Sequence, residues 1–199
     1  MPLALNSGGG DFAPFIRFMA STSSWEMSQD GGTVPFTFTQ AIVDLENIRT
    51  GWGLMGEGMA PQWQWDESID SPDMKKPGEG EWKRGLSVDV FSPKMFGEES
   101  PVRELSSTGT GVKMGFEALY AEFEASAPSN PGKVPVVSFE GAVRQKVGKG
   151  NTSLPTLKII KWVDRPADLT PGEDEPVAAA PSEPAGEPAA KAASADEEF

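Results

Sequence analysis

The sequence predicts a mainly β fold with a single helix, followed by an acidic tail that does not fold. Runs rich in β-branched and aromatic residues alternate with Gly and Pro turns through residues 1–170, as in successive strands. In residues 112–125, apolar side chains recur at spacings of three and four and so predict a helix. Residues 171–199 hold nine Ala, five Pro, eight acids and one Lys, too little apolar surface to fold. We therefore expect a domain of residues 1–170 and a disordered tail of residues 171–199.

The strands are predicted in chain order. Residues 14–20 and 24–28 form a strand and its return, a turn follows at residues 30–32, and residues 34–48 continue the sheet. The return strand at 52–57 is rich in glycine, which indicates a bulge, a sharp bend or the close approach of another chain. After a long excursion over 61–81, strands are expected at 86–91, 134–147 and 156–163, with a loop at 106–111 and a glycine-rich hairpin loop at 148–153.

Five barrel strands with one helix between the third and fourth are the pattern of an OB-fold, a partly open barrel that binds oligonucleotides. We therefore expect an OB-fold-like, five-stranded domain, in which residues 34–57 supply the second strand and an extra hairpin. An immunoglobulin-like sandwich is the structural alternative, and the solitary helix argues against it.

Composition excludes several functions. The sequence contains neither Cys nor His, which removes disulfides, thiolate metal sites and the commonest general base. We expect no cofactor, no metal and no enzymatic activity. The N-terminus lacks a basic region and a long apolar core, and no apolar run approaches the length of a membrane span. These features predict a cytoplasmic protein without a membrane partner.

Charge is unevenly distributed. The net charge is −13, and an acidic total argues against a simple nucleic-acid binder. Residues 133–165, however, hold seven Lys or Arg against two acids. This local excess of cations leaves nucleic-acid binding open.

Basic residues lie next to tryptophans at several places in the predicted strands. Cations can follow phosphates while aromatic rings stack on unpaired bases, which is how single-stranded nucleic acid is bound without sequence preference. The predicted binding residues are Arg17, Trp25, Trp82, Lys83, Arg84, Arg144, Lys146, Lys149, Lys158, Lys161 and Trp162. On the long strand, alternation predicts that Arg144 and Lys146 share one face and that the other face carries Val137, Phe139, Val143 and Val147. On the last strand it predicts that Trp162 shares a face with Lys158. For each tryptophan alone, packing in the core is the alternative.

Two other motifs contain residue types that are used in phosphate binding or catalysis. The glycine-rich residues 148–153 do not fit a phosphate-binding P-loop, because Lys149 is followed by Gly150 and then by a strand. Asp66, Glu67, Asp70 and Asp73 form a dense carboxylate cluster that a glycosidase or a metal-dependent nuclease could use. Their loop implies no ordered framework, which favours solvated loop charge.

The tail ends on Asp196, Glu197, Glu198 and Phe199. This tip resembles the tails of single-stranded DNA-binding proteins, since bacterial SSB and the T7-type phage binding protein both carry a disordered linker and an acidic tip ending in Phe. The body has a looser likeness to phage members of that class, through residues 44–48 with Gly51-Trp52, residues 91–94 and residues 159–163. The resemblance implies that the tip binds replication or recombination proteins.

These observations predict a non-enzymatic single-stranded DNA-binding protein of phage origin, acting in the cytoplasm of a bacterial host. They leave its oligomeric state open, including a homo-oligomer. Two alternatives remain: a structural or interaction domain of a virion that does not bind DNA, and a carboxylate-dependent hydrolase that uses the 66–73 loop.

Overall fold

The computed structural model of the protein describes residues 13–55 and 61–169, and over these residues the fold is mainly β. The strands are β1 (Phe15–Met19), β2 (Ser24–Gln29), β3 (Gly32–Phe36), β4 (Gln40–Val43), β5 (Arg49–Leu54), β6 (Gln62–Trp65), β7 (Lys83–Phe91), β8 (Val102–Ser107), β9 (Lys133–Val147) and β10 (Gly150–Asp164). The α-helices are α1 (Pro93–Phe96) and α2 (Thr110–Ser126), and short 3-10 turns lie at Leu45–Asn47, Ala127–Ser129 and Ala167–Leu169. The predicted tail and its tip lie outside the described residues.

All ten strands belong to one sheet that does not close into a barrel. Its order is β10-β9-β4-β7-β8-β1-β2-β3, and β5 pairs with both β7 and β6. The pairs are antiparallel except β1 with β8. The coarse prediction of a mainly β fold is confirmed, whereas a barrel of five strands is not: an N-terminal three-stranded unit extends the sheet beyond β8.

Helix α2 packs against β10 at unusually short range, because two glycines face the strand. A Cβ on Gly111 would meet the Ser153 carbonyl oxygen, and one on Gly115 would lie 2.6 Å from the Pro155 carbonyl oxygen. On its core side α2 buries Val112, Phe116 and Leu119. The helix thus covers part of the outermost strand, which is one way in which proteins protect a sheet edge.

Two β-bulges in the β9–β10 hairpin reverse the predicted faces. In β9 the pairing passes from Phe139–Leu157 to Gly141–Thr156, so one extra residue is inserted next to a glycine with φ of +117°. Phe139 and Ala142 both pack against the core, whereas Val143 is 60% exposed. The prediction that Val143 shares a face with Phe139 is therefore wrong, because one inserted residue moves every later side chain to the opposite face.

The second bulge lies in β10, where the pairing passes from Ile159–Val137 to Lys161–Val136 and leaves Ile160 unpaired. Trp162 then falls on the face of Leu157 and Ile159, which pack against the core. Lys158 and Lys161 share the other face. The prediction that Trp162 shares a face with Lys158 is wrong for this reason.

The C-terminal end of the described chain is fixed to the sheet by one arginine. Arg165 pairs with the carboxylate of Asp44, at 2.7 Å, and with Glu46, and it also donates to the Leu169 carbonyl oxygen. The Asp44 side chain is 3% exposed, so this ion pair is shielded from solvent on one side. Arg165 is therefore a structural residue, although it belongs to the basic run seen in the sequence.

Candidate nucleic-acid interface

Five of the eleven predicted binding residues have structural partners in the fold. Trp25 is 2% exposed and packs against Phe18 and Phe38, with ring centroids 5.1 and 4.8 Å away. Trp162 is half-buried and stacks on Phe123 of α2 at 5.7 Å. We withdraw both rings as base platforms, because their faces are occupied by the protein's own aromatic side chains.

Arg84 is also a structural residue. Its guanidinium donates to both carboxylate oxygens of Asp66, with Nη1 2.7 Å from Oδ1. Asp66 accepts further hydrogen bonds from the Thr50 hydroxyl at 2.5 Å and the Asp73 backbone N–H at 2.9 Å. The hydrogen bond from Arg84 is the main cause that lowers the pKa of Asp66 to about 2. Asp66 thus fixes the loop that follows β6 against β5 and β7.

The expectation of solvated loop charge is wrong for Asp66 alone among the four carboxylates. Asp66 is almost fully buried at its side chain, while Glu67, Asp70 and Asp73 are exposed. Among residues 13–55 and 61–169, no three acidic side chains lie close enough together to hold a metal ion.

The remaining two partnered residues are Arg17 and Trp82. Arg17 lies on β1, and its guanidinium pairs with Glu26 at 2.6 Å. Trp82 is half-buried and donates its indole N–H to the Glu79 carbonyl oxygen at 3.0 Å. Arg17 is half-exposed in its ion pair, so it is the more accessible of the two.

The other six predicted residues are exposed cations: Lys83, Arg144, Lys146, Lys149, Lys158 and Lys161. Lys83 lies 3.6 Å from the exposed carboxylate of Glu81, a pair that water screens strongly. The other five lie on the β9–β10 hairpin over residues 141–163, which contain no acid, and none makes an ion pair with a described residue. We call residues 141–163 the basic hairpin.

The basic hairpin carries its cations on two opposite faces. Arg144 pairs with Ser153 across the strands and Lys146 with Asn151, on the face where Pro155 contacts α2. Lys158 pairs with Ser138 and Lys161 with Val136, on the reverse face. Lys149 lies at the turn between the strands.

A second group of surface residues, partly exposed, was missed by the sequence analysis. On β6, Trp63 and Trp65 stack on each other with ring centroids 4.5 Å apart and planes 7° from parallel. The guanidinium carbon of Arg49 on β5 lies 4.5 Å from the centroid of Trp65. We call these three residues the tryptophan shelf. Both rings are half-buried, and Arg49 is half-exposed.

The shelf rests on glycines that leave the sheet surface flat. The strand pairing places Gly51 opposite Trp65 and Gly53 opposite Trp63, with Gly85 beside them on β7. A Cβ on Gly53 or Gly85 would lie 2.8 Å from the Trp63 ring, so only glycine lets this ring lie against the backbone. For the glycine-rich strand at 52–57 the sequence left open a bulge, a sharp bend or the close approach of another chain; at Gly53 the structure shows a close approach, made by the Trp63 ring.

The shelf and the basic hairpin meet at the N-terminus of α2. The methyl group of Thr108 lies beside Gly53 and Gly85, next to the Trp63 ring, and three residues later Gly111 contacts Ser153 of the hairpin. The helix begins without a side-chain cap; Thr110 at its start is exposed, whereas Gly111 and Val112 are buried. The stacked indoles and the hairpin face with Arg144 and Lys146 are thus linked through contacts at the start of α2, and we call this set of elements the strip.

Comparisons with known proteins give no relative from which a role could be carried over, since no protein-family model, curated protein or solved structure matches the chain. Within the part of the chain that the structure describes, no helix has the length and apolar character needed to cross a membrane.

Proposed function

We propose that the protein binds single-stranded DNA without sequence preference. The observation that carries the proposal is the strip formed by the tryptophan shelf, the uncapped start of α2 and the cations of the basic hairpin. Single-strand binders combine a cationic track for phosphates with aromatic faces for bases, and this strip offers both.

In this mechanism the backbone phosphates run along the hairpin face that carries Arg144 and Lys146, and the backbone N–H of Thr110, at the exposed start of α2, donates to one phosphate. At the shelf, an unpaired base takes the place of the Arg49 guanidinium on the outer face of Trp65. A stacked base contributes roughly 1–3 kcal/mol and requires no particular sequence. Duplex DNA hides its base faces, so the same surface discriminates against it.

Strand connectivity supports the same class of function. In chain order the strands β4, β7, β8, β9 and β10 have α2 between the third and the fourth, with the β5–β6 hairpin inserted after β4, and four of them lie in the spatial order β9-β4-β7-β8. That is the 4-1-2-3 order of a Greek key, on which an OB-fold is built. We propose that these five strands are an OB-like unit opened by the N-terminal strands, with the shelf on the face of its second strand.

The tail has two roles in the proposal. Its tip, Asp196 to Phe199, recruits replication or recombination proteins through ring burial and charge-assisted hydrogen bonds. Its acids compete with DNA for the cations of the basic hairpin, because residues 171–199 carry eight acids and one Lys.

The test is a titration of tryptophan fluorescence with oligo-dT and with duplex of equal length, at several salt concentrations. We expect quenching by oligo-dT, weaker binding to duplex and an affinity that falls steeply as salt rises. Deletion of residues 171–199 should tighten binding at low salt, whereas Phe199→Ala should leave it unchanged. Salt-independent binding, or a preference for duplex, would contradict the proposal.

A further inference from the structure

A cleft of about 350 Å³ lies on the side of the sheet opposite the tryptophan shelf. Its floor is apolar and is formed by Ile48, Leu86 and Phe116, with Ile69 on the loop after β6. The strand pairing places Thr50 and Leu86 in this cleft, while Gly51 and Gly85, one residue away, lie under the shelf. Since side chains alternate along a strand, the cleft and the shelf use opposite faces of β5 and β7.

The walls of the cleft are preformed. One wall is α2, and the other is the loop that Asp66 fixes through Arg84, Thr50 and the Asp73 backbone. A backbone bridge between Ser68 and Ser71 closes a turn in the same loop. Ligand sites are usually clefts of this kind, with volumes from about 300 Å³ upward, so the cleft has room for one large side chain.

The rim of the cleft is acidic. Asp70, Glu117 and Glu124 line it, and none of the three makes an ion pair with a residue of the described chain. The Tyr120 hydroxyl lies among them, and its pKa is raised by burial first and then by the charges of Glu124 and Asp70. The apolar floor is therefore surrounded by an unbalanced negative potential.

We propose that this cleft binds a basic segment of a partner protein, which inserts one aromatic or long aliphatic side chain and places Lys or Arg against the acidic rim. Charge complementarity selects this occupant. The chain's own tip also offers a ring, but its three flanking acids would face three more carboxylates on the rim. The acidic rim would therefore repel the acidic tip of the tail. The proposal does not rest on DNA binding.

The probe is the blocked peptide Lys-Lys-Phe-Lys-Lys, followed through the ring resonances of Tyr120, which is the only tyrosine in the sequence. Two peptides are matched controls: Lys-Lys-Ala-Lys-Lys keeps the charge without the ring, and Glu-Glu-Phe-Glu-Glu keeps the ring with the opposite charge. We expect saturable shifts of Tyr120 with the first peptide and at least tenfold weaker binding of both controls. Equal shifts with all three peptides, or none with the first, would overturn the proposal.

Two variants locate the site. The double variant Glu117→Gln with Glu124→Gln should weaken binding of the peptide at least tenfold at low salt. Ala121→Trp should block the cleft without unfolding the protein, since Ala121 is exposed. Unchanged affinity in both variants would overturn the assignment. Saturating oligo-dT should leave the peptide Kd within twofold, because the cleft is lined by residues 116–124 of α2 with Thr50 and Leu86, whereas the shelf lies on the other face of β5 and β7; direct competition would contradict that placement.

Discussion

The two faces of the basic hairpin allow a charge-matched test of where DNA lies. Arg144→Ala with Lys146→Ala removes two cations from the face next to α2, and Lys158→Ala with Lys161→Ala removes two from the reverse face. Both pairs change the net charge equally, and all four side chains are exposed. Any difference between the pairs therefore reports position and not total charge.

The expected size follows from counterion release. For single strands each phosphate contact contributes about 0.7 to the slope of log affinity against log salt. Two lost contacts should make the slope less steep by about 1.4, which, with equal affinities at 1 M salt, corresponds to roughly tenfold weaker binding at 0.2 M salt and roughly sixtyfold at 0.05 M. We expect this loss for the Arg144 and Lys146 pair.

The Lys158 and Lys161 pair should change the affinity by less than threefold at 0.2 M salt. The assay is a fluorescence titration with oligo-dT at four salt concentrations for the wild type and both pairs. Equal losses in the two pairs would refute the placement of DNA on the α2 side. A larger loss of affinity in the Lys158 and Lys161 pair would show that DNA lies on the reverse face.

Three further predictions concern the residues that hold the fold together. Asp66→Asn should lower the free energy of unfolding at pH 7 by about 2 kcal/mol, because the pKa of Asp66 is held near 2, below its usual 3.8. This stabilisation is present above about pH 4 and is lost as the pH falls towards 2. In urea unfolding, the stability of the variant should therefore depend less on pH in that range than the stability of the wild type. Gly115→Ala should lower the Tm despite the better helix propensity of Ala, because the new Cβ would lie 2.6 Å from the Pro155 carbonyl oxygen. Overpacking of this kind costs about 1–3 kcal/mol. A higher Tm would contradict the close packing of α2 on β10. Trp162→Ala should destabilise the domain by about 2 kcal/mol through loss of the Phe123 stack. The same variant should bind oligo-dT with an affinity within twofold of the wild type. A large loss of affinity in a stable variant would show that Trp162 belongs to the DNA-binding surface.

Local patterns predicted much of the secondary structure. The alternating strand that became β7, the long strand β9 and the helix α2 are present within a few residues of the expected bounds. The turn at residues 30–32 was also predictable, since Asp30 and Gly31 both have positive φ and so form the kind of tight turn that joins hairpin strands. These features depend on neighbouring residues, and the sequence displays them directly.

The faces of the hairpin were not predictable from alternation. A bulge inserts one residue relative to the partner strand, so its position depends on pairing with β10 and not on β9 alone. Gly141 was the available signal, because its positive φ suits the bulge. The glycine-rich stretch at 148–153 was expected as a loop, but β10 begins at Gly150 and only a tight turn remains.

The tryptophan shelf was missed because proline and acidic residues around it indicated an irregular loop. The usable signal was the alternation of Gln and Trp over residues 62–65, together with glycines at 51, 53 and 85 that leave room for rings. Conversely, Trp25 and Arg84 were selected because they lie near basic groups or tryptophans in the sequence. Sequence proximity does not report burial, and tertiary packing placed both inside structural contacts.

The most direct test of the proposed DNA surface follows the indole N–H signals of the six tryptophans by ¹⁵N NMR during a titration with oligo-dT. Each signal is assigned by a single Trp→Phe variant. We expect the Trp63 and Trp65 signals to shift saturably, and the signal of buried Trp25 to stay in place. If oligo-dT binds while the signals of Trp63 and Trp65 do not move, DNA lies elsewhere and the account of the shelf is wrong.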